Sequence, residues 1–240
     1  MKILGIETSC DETGIAIYDS KNLLISNEIY SQIIIHNQFG GPVPELSSRD
    51  HVQKLILLLF KTMKKTPIKI YEINVIAYTY GPGLAGALIT GSSFAKALGY
   101  TLKIPTIKIN HIEGHIFSPF INTKSPKFPF ISLIISGGHT ILIKINKIGI
   151  YNILGETLDD SAGETLDKIS NLMNLGYPGG AQIEKFAIKN KNNIYQFPKP
   201  LTKTKGLNFS FSGLKTYIKN IINNTSLNKK NIENIAYSLQ

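Results

Sequence analysis

The first twenty residues alternate between apolar and polar positions in a pattern that predicts a β-hairpin with a polar tip. Apolar runs at residues 3–6 and 15–17 flank a turn at residues 8–14, which is rich in hydroxyls, carboxylates and glycine. An apolar period of two is typical of a strand with one buried face. The tip offers Asp11 and Glu12 as ligands for ribose hydroxyls, a cation or metal-bound water, although such residues also occur simply as turn formers.

Helices and strands alternate along the chain after this hairpin. An amphipathic helix is predicted over residues 44–65, since proline is tolerated in the first helical turn. A buried strand over residues 73–80 precedes a helix of small residues over 86–98. A second short strand over residues 104–109 leads into a helix that begins near His111. This order of elements indicates α/β layers.

The opening pattern recurs in the second half of the chain. Residues 130–145 form two apolar runs around a Ser-Gly-Gly-His-Thr turn, and a helix is predicted over residues 158–175. A second polar-tipped hairpin indicates an internal duplication, which predicts a ligand in a cleft between two lobes. The expected organisation is an N-terminal lobe, a proline-containing linker and a second lobe, over residues 1–118, 119–129 and 130–240.

Composition excludes several classes of protein. The chain has 240 residues, of which 42% are hydrophobic, so it can bury a core and is not a disordered tail. Its longest aliphatic run, at residues 55–60, is far short of the roughly 20 residues that span a bilayer. Glu7, Asp11 and Glu12 lie where a secretion signal would be apolar, and the lone Cys10 fits a reducing compartment. We therefore expect a cytoplasmic protein.

The net charge of +10 is concentrated in one segment. Residues 189–230 contain nine lysines and no aspartate or glutamate, so the rest of the chain is close to neutral. A basic surface of this kind fits an acidic partner such as nucleic acid. A solvated lysine face, enlarged by a general lysine bias in the composition, explains the same pattern.

A histidine pair is the clearest candidate for a metal site. His111 and His115 are four residues apart, on one face of the predicted helix, at a spacing that can share a metal. A carboxylate from elsewhere would be needed to complete the site, and two histidines with one carboxylate suit iron or zinc. Glu113 has the wrong offset for a His-Glu-x-x-His zinc protease. Chance also brings two histidines this close, so the spacing alone leaves the question open.

Two further groups in the second half have the residue types of a ligand site. The backbone amides of residues 136–138 could hold a phosphate or a carboxylate, although most glycine turns are only turns. Asp160, Glu164 and Asp167 fall at i, i+4 and i+7 of the predicted helix. They form either a carboxylate-lined site close to the turn Gly179-Gly180 or an exposed acidic face.

Six short motifs occur in one order along the chain: Glu7-Thr8-Ser9-Cys10-Asp11-Glu12-Thr13, Gly81-Pro82-Gly83, His111-Ile112-Glu113-Gly114-His115, Ser136-Gly137-Gly138-His139-Thr140, Tyr177-Pro178-Gly179-Gly180 and Phe209-Ser210-Phe211-Ser212-Gly213-Leu214-Lys215-Thr216. One such motif is weak evidence, whereas six in register are strong evidence. Together they closely resemble the bacterial tRNA N6-adenosine threonylcarbamoyltransferase (TsaD) family, and the likeness runs from Met1 to the end of the sequence.

The resemblance implies an α/β fold of the duplicated, two-lobed, actin-like (ASKHA, sugar-kinase-like) type. It also implies transfer of a threonylcarbamoyl group from threonylcarbamoyl-AMP to the N6 amine of the adenosine 3′ of the anticodon, in tRNAs that read codons beginning with A. The partners would then be tRNA, threonylcarbamoyl-AMP, a TsaB-like scaffold paralogue and a TsaE-like ATPase subunit, with no membrane.

The same resemblance assigns roles to residues of this chain. One divalent metal, iron(II) in preference to zinc, would be held by His111 and His115. Asp11 and Glu12 would line the cleft near the metal as candidate catalytic residues. The adenylate substrate would be bound by residues of the second lobe: Ile134, Ile135, Ser136, Gly137, Gly138, Asp167 and Gly180.

The chain departs from the family pattern at its C-terminal end. Full-length members continue with a glycine-rich nucleotide segment and a late aspartate that is the third metal ligand, and neither occurs in this sequence. The apolar face of a predicted helix over residues 229–240 stops in mid-pattern, as in a chain that once continued or in a frayed terminus. We therefore expect an incomplete second lobe, and a poor enzyme unless another polypeptide supplies the missing part. A smaller departure is Asn110, where many relatives have a histidine.

Two other kinds of function stay open at this stage. The first is a non-catalytic scaffold or a degenerate fragment of the same fold, which would not need His111 and His115. The second is a metallopeptidase, which would need a glutamate at an offset that Glu113 does not have.

Overall fold

The computed structural model describes residues 1–123, 126–189, 193–202 and 204–240. The chain divides into two compact units, Met1–Ser125 and Pro126–Gln240, each with its own sheet and its own apolar core. The boundary between the units lies within residues 119–129. In the described part of the chain, no helix combines the length and apolarity required to cross a membrane.

A five-stranded sheet with helices packed against it forms the first unit. The strands are β1 (Lys2–Glu7), β2 (Glu12–Asp19), β3 (Leu23–Ser31), β4 (Val75–Gly81) and β5 (Thr106–Asn110). The helices are α1 (Ile33–Asn37), α2 (Pro44–Lys64), α3 (Ala85–Leu102) and α4 (His111–Phe117), with short 3-10 turns at Ile70–Glu72 and Ser118–Phe120. The strand order is β3-β2-β1-β4-β5, in which β1, β4 and β5 run parallel. These three strands therefore end at the same edge of the sheet, at Glu7, Gly81 and Asn110.

The apolar face of α2 packs on this sheet. Leu55, Leu58 and Leu59 are buried in one cluster with strand residues that include Leu4 and Ile17. Burial of each such side chain contributes roughly 1.5–3 kcal/mol to folding. This contribution explains why apolar residues occur at helical spacing on the buried face of α2. The helices and strands predicted for this half are confirmed, with shifts of a few residues at their ends.

Small residues let the chain around α3 approach the tip of the first hairpin closely. A Cβ atom at Gly91 would overlap the side chain of Thr8, and one at Gly83 would overlap the carbonyl of Ser9. The Thr8 hydroxyl also donates a hydrogen bond to the Ala87 carbonyl at 2.9 Å. The small-residue pattern of this helix is therefore a packing requirement of the hairpin tip.

The described residues of the second unit form a three-stranded antiparallel sheet and four helices. The elements are β6 (Phe130–Ile135), β7 (Thr140–Lys147), β8 (Ile150–Glu156), α5 (Ala162–Leu172), α6 (Gly179–Ala187), α7 (Ser212–Asn224) and α8 (Lys229–Leu239). The sheet order is β6-β7-β8. The helices enclose a cluster that includes Ile169, Ile183, Ile218 and Ile235. The apolar face predicted near the C-terminus is thus confirmed as part of this core.

Both predicted hairpins are confirmed, and each is extended by a third strand, β3 or β8, that the sequence did not predict. Each unit therefore begins with three antiparallel strands whose second strand is central.

The helix predicted over residues 158–175 is wrong at its start, because α5 begins at Ala162. The Ser161 hydroxyl caps this helix by accepting the Glu164 amide at 3.1 Å. The pair Gly179-Gly180 forms the first turn of α6 and is not a separate turn.

Candidate functional site

The tip of the first hairpin follows directly from the end of β1. Asp11 is half-buried in the turn, and Glu12, the first residue of β2, is exposed. The Asp11 carbonyl accepts the Gln32 amide at 2.9 Å, and the Cys10 carbonyl lies 3.0 Å from Nε2 of the buried His51. The backbone of the tip is thus held from the interior of the unit, while the Glu12 side chain is left at the surface.

Asn110 starts the helix that carries the histidine pair. Its Oδ1 atom accepts the backbone amides of Ile112 and Glu113 at 2.9 and 3.2 Å, so that α4 begins at His111. The rings of His111 and His115 lie edge to face with centroids 4.4 Å apart, and their Nε2 atoms are 3.0 Å apart. Asn110 therefore has a capping role here.

The separation of the two Nε2 atoms suits a chelating pair. Two nitrogens about 2.1 Å from one metal ion are about 3.0 Å apart when they subtend a right angle. The observed distance between His111 and His115 is 3.0 Å. No group of three or more His, Cys, Asp or Glu side chains suited to a metal occurs among the described residues. The residues present therefore fit a metal as two ligands, with its other positions left to water, substrate or a further protein group.

Glu7, the last residue of β1, is a neighbour of this pair that the sequence analysis missed. Its carboxylate accepts the Ser9 amide at 2.5 Å and the Thr79 hydroxyl, and it lies 3.6 Å from Nδ1 of His111. Burial raises the pKa of Glu7, but the contacts with His111, Ser9 and Thr79 outweigh burial and lower the pKa to about 2. Burial and the nearby His111 lower the pKa of His115. A carboxylate beside the imidazole is the usual setting of metal-binding histidines.

The tip of the second hairpin packs on the start of α5. The Ser136 amide donates to the His139 carbonyl at 2.8 Å, so this amide is engaged within the turn. The Gly163 amide donates to the Ser136 carbonyl at 3.2 Å, and a Cβ atom at Gly163 would lie 2.5 Å from that oxygen. A Cβ atom at Gly137 or Gly138 would meet no described atom within 4 Å. Space is therefore open on the Cβ side of Gly137 and Gly138, the two glycines of the turn predicted to bind an anion.

The other residues predicted to bind substrate lie on three elements of the second unit. Ile134 is buried in β6, and Ile135 at its end is exposed. Asp167 on α5 accepts the Gly179 amide through Oδ1 at 2.6 Å, and Gly180 is the next residue of α6. A Cβ atom at Gly179 would overlap the backbone of Asp167, so the two helices are in close contact there. The structure thus places Asp167 at the start of α6, where it contacts Gly179, the residue before Gly180.

The predicted carboxylate-lined face is wrong in part. Because α5 begins at Ala162, Asp160 lies outside the helix. Asp160 and Glu164 both pair with Lys168, at 2.7 and 2.9 Å. Asp167 is the member of the predicted set that contacts Gly179, at the start of α6. Two of the three carboxylates therefore form an ion-pair cluster with a lysine.

Asp159 has a structural role that the sequence did not reveal. Its carboxylate accepts the Ser210 hydroxyl at 2.5 Å, the Phe211 amide at 2.7 Å and the Ser212 hydroxyl at 2.8 Å. Burial raises the pKa of Asp159, but these hydrogen bonds outweigh it and lower the pKa to about 2. The Phe-Ser-Phe-Ser motif is thereby fixed at the start of α7.

The lysine-rich segment, residues 189–230, lies in the second unit. Lys191 and Lys203 are outside the described residues. Of the seven others, six are exposed and Lys215 is half-buried. The charge that dominates the sequence is therefore available at the surface of this unit.

Several solved structures resemble this chain at low sequence identity. An activator of 2-hydroxyisocaproyl-CoA dehydratase from Clostridium difficile, with bound ADPNP, matches 100% of this chain and 70% of its own, with a TM-score of 0.52 and 11% identity. Component A of (R)-2-hydroxyglutaryl-CoA dehydratase from Acidaminococcus fermentans matches 98% and 73%, with a TM-score of 0.53 and 9% identity. YeaZ from Pseudomonas aeruginosa is similar over 68% of each chain, with a TM-score of 0.42 and 11% identity. The fold of this chain is the actin-like α/β fold, as predicted.

A sequence model of one protein family also matches this chain. The family is TsaD, described as tRNA N6-adenosine threonylcarbamoyltransferase, and the match covers residues 23–240. These residues include the histidine pair of the first unit and the Ser-Gly-Gly turn of the second. Because the match extends over most of the sequence, the chain belongs to the TsaD family of tRNA-modifying threonylcarbamoyltransferases.

Proposed function

We propose that this chain transfers a threonylcarbamoyl group from threonylcarbamoyl-AMP to the N6 amine of the adenosine 3′ of the anticodon, in tRNAs that read codons beginning with A. The observation that best supports catalysis is the 3.0 Å separation of the Nε2 atoms of His111 and His115. A non-catalytic scaffold of the same fold has no use for such a pair. Glu113 lacks the offset that a metallopeptidase of the His-Glu-x-x-His type requires.

The reaction is an acyl transfer in which positioning and charge stabilisation are the tasks of the protein. The N6 nitrogen forms a bond to the carbamoyl carbon, the bond from that carbon to the phosphate oxygen breaks, and one proton leaves the nitrogen. A divalent metal, iron(II) in preference to zinc, would supply Lewis acidity when bound by His111 and His115. Glu7 would hold His111 through Nδ1, which leaves Nε2 for the metal.

The second unit would bind the adenylate part of the substrate. Space is open on the Cβ side of Gly137 and Gly138, and their backbone amides would donate hydrogen bonds to the phosphate. Asp167 would keep the start of α6 in place through its bond to the Gly179 amide. In the first unit, the exposed carboxylate of Glu12, with Asp11 beside it, is the proposed acceptor of the proton that leaves N6.

An apolar surface of the first unit supports a protein partner. Val52, Ile56 and Phe60 are exposed at i, i+4 and i+8 along α2, and Leu57 on α2 and Ile89 on α3 are also exposed. We name these five residues the α2 stripe. Exposed apolar surface of this extent is typical of interaction sites. We propose that a TsaB-like scaffold docks there, because the family resemblance implies pairing through the N-terminal lobe.

We propose that the lysine-rich segment, residues 189–230, binds the tRNA. The six exposed lysines described between residues 189 and 230 would neutralise backbone phosphates, which makes binding salt-dependent. A TsaE-like ATPase subunit completes the proposed set of partners.

Reconstitution tests the proposed function. The purified chain, a TsaB-like scaffold, a TsaE-like ATPase subunit and iron(II) would be mixed with labelled threonylcarbamoyl-AMP and an unmodified tRNA transcript. A second arm would add a polypeptide that carries the glycine-rich segment and the late aspartate of the family. Label in the tRNA in either arm supports the proposal. Absence of label in both arms, with a complete family member active in parallel, refutes it.

A further inference from the structure

Five polar side chains beneath the tip of the first hairpin are shielded from solvent. They come from β2, from the residue before α1, and from α1 and α2, and each has 0% exposure: Thr13, Gln32, His36, Ser47 and His51. Burial of polar groups is costly unless they are hydrogen-bonded, so a group of this size demands an explanation beyond packing. We name these five residues the tip network.

The tip network holds two successive carbonyls of the hairpin tip. The Cys10 carbonyl accepts the Ser47 hydroxyl and lies 3.0 Å from Nε2 of His51. The next carbonyl, that of Asp11, accepts the backbone amide of Gln32 at 2.9 Å. Three donors from the interior therefore set the position of the backbone from which the Asp11 side chain projects, and Glu12 follows it directly.

The hydrogen bonds of the tip network fix the proton positions on His51. A carbonyl only accepts, so Nε2 of His51 carries the proton that faces Cys10. Nδ1 is then an acceptor, and it lies 2.7 Å from the Thr13 hydroxyl. Burial lowers the pKa of His51, against the opposing charges of Asp50, Glu7 and Asp11. A neutral ring with this tautomer agrees with both contacts.

The hydrogen bonds of His36 likewise fix its proton positions and the orientation of the Gln32 side chain. The Val43 amide donates to Nδ1 of His36 at 3.2 Å, so Nε2 of His36 carries a proton and donates to Oε1 of Gln32 at 2.9 Å. That bond orients the Gln32 side-chain amide, whose nitrogen lies 3.4 Å from the Ser47 carbonyl and from Nδ1 of His51. Every donor and acceptor in this chain of contacts is thus assigned by its neighbours.

We infer that Gln32 and His51 are positioning residues, which hold the Cys10–Glu12 tip in the conformation that presents Asp11 and Glu12. The inference deepens the proposed function, because it gives the tip its role in that reaction. An apolar cluster would stabilise the same packing at lower cost, whereas a directional network fixes one backbone geometry.

The single cysteine of the chain provides a direct probe of the tip. Cys10 is partly buried, and burial together with the adjacent Asp11 raises the pKa of its thiol to about 12. Alkylation at neutral pH is therefore slow while the tip keeps its position, and it becomes faster when the tip loosens. The readout requires no substrate, partner or metal.

Two variants loosen the tip network in different places, and each has a matched control. Gln32→Met keeps the side-chain length but removes its hydrogen bonds, and the control Gln53→Met makes the same change at an exposed position of α2. Thr13→Val removes the hydroxyl that bonds His51, whereas Thr13→Ser keeps it. We expect Gln32→Met and Thr13→Val to raise the rate of Cys10 alkylation by about fivefold or more, because a lost hydrogen bond is worth about that factor. Gln53→Met and Thr13→Ser should react at the rate of the unchanged chain.

Transfer kinetics separate positioning from a merely structural role. In reconstituted transfer, the two loosening variants should lower kcat more than they change KM, and Thr13→Ser should restore kcat. Unchanged alkylation rates in folded Gln32→Met and Thr13→Val would overturn the inference, as would faster alkylation with unchanged kcat. If no protein in the series transfers the group, the proposed function fails, while the alkylation rates still decide whether the tip network holds the tip. Nitrogen NMR of the histidines should show protonated Nε2 and unprotonated Nδ1 for His36 and His51. The opposite tautomer would also overturn the inference that the tip network positions the hairpin tip.

Discussion

Replacing Asp167 by alanine removes the carboxylate that accepts the Gly179 amide at 2.6 Å, at the start of α6. Loss of a helix cap costs about 1 kcal/mol, and loss of a negative charge at a helix start adds about 0.5 kcal/mol. We therefore expect Asp167→Ala to reduce the free energy of unfolding of the second unit by about 1.5 kcal/mol. Asp167→Asn keeps an acceptor oxygen and should cost only about 0.5 kcal/mol.

Urea unfolding followed by circular dichroism measures both values, with Glu184→Ala as a control at an exposed position of α6. That control should change the free energy of unfolding by less than about 0.5 kcal/mol. Calorimetric titration with threonylcarbamoyl-AMP then separates capping from substrate binding. If Asp167 contacts the adenylate, Asp167→Asn should weaken binding by about tenfold or more, which exceeds its effect on stability. Equal stability of Asp167→Ala and the unchanged chain would refute the capping argument.

Three further results are expected from the same geometry. Between about pH 7.5 and about pH 5.5 the first unit should lose stability, because His51 has a lowered pKa and the unfolded chain takes up a proton that the folded chain does not. His51→Asn should flatten this slope in urea unfolding, and an unchanged slope would contradict the assignment. His115→Ala should weaken zinc or iron(II) binding by at least about tenfold in calorimetry. Equal metal affinity of this variant and the unchanged chain would contradict the assignment of His111 and His115 as a chelating pair. Ile56→Glu in the α2 stripe should abolish co-elution with the TsaB-like scaffold, whereas the exposed control Ile131→Glu in the second unit should not; equal behaviour would refute the docking surface.

Elements whose pattern is local could be predicted from the sequence. The two hairpins, α2 and the histidine helix follow from apolar periods and helical spacing, which depend only on neighbouring residues. Strand β3 was missed because its inward positions are not all apolar. Glu28 lies in this strand, with its side chain buried against Lys61 of α2 and Lys65 directly after that helix. Only the folded packing of β3 on that helix makes a buried glutamate possible.

The candidate site could be predicted only where its residues are close in sequence. His111 and His115 follow from their spacing, but Glu7 joins them because the ends of the parallel strands β1 and β5 meet at one edge of the sheet. An acidic residue that ends a buried strand is the signal that could have identified it. Asp160 was misassigned because a helix start depends on its cap, and Ser161 places that start after the carboxylate. The tip network was missed because His36 and His51 carry no motif of their own.

The measurement that tests the central claim most directly is mass spectrometry of tRNA nucleosides after reconstituted transfer. The unchanged chain and Glu113→Gln, a control on the same helix as the histidine pair, should both form N6-threonylcarbamoyladenosine 3′ of the anticodon. His111→Ala should lose at least about 99% of this product, as expected when a ligand of a catalytic metal is removed. Equal product from His111→Ala would contradict the account, and so would peptide hydrolysis by the unchanged chain that disappears in the same variant.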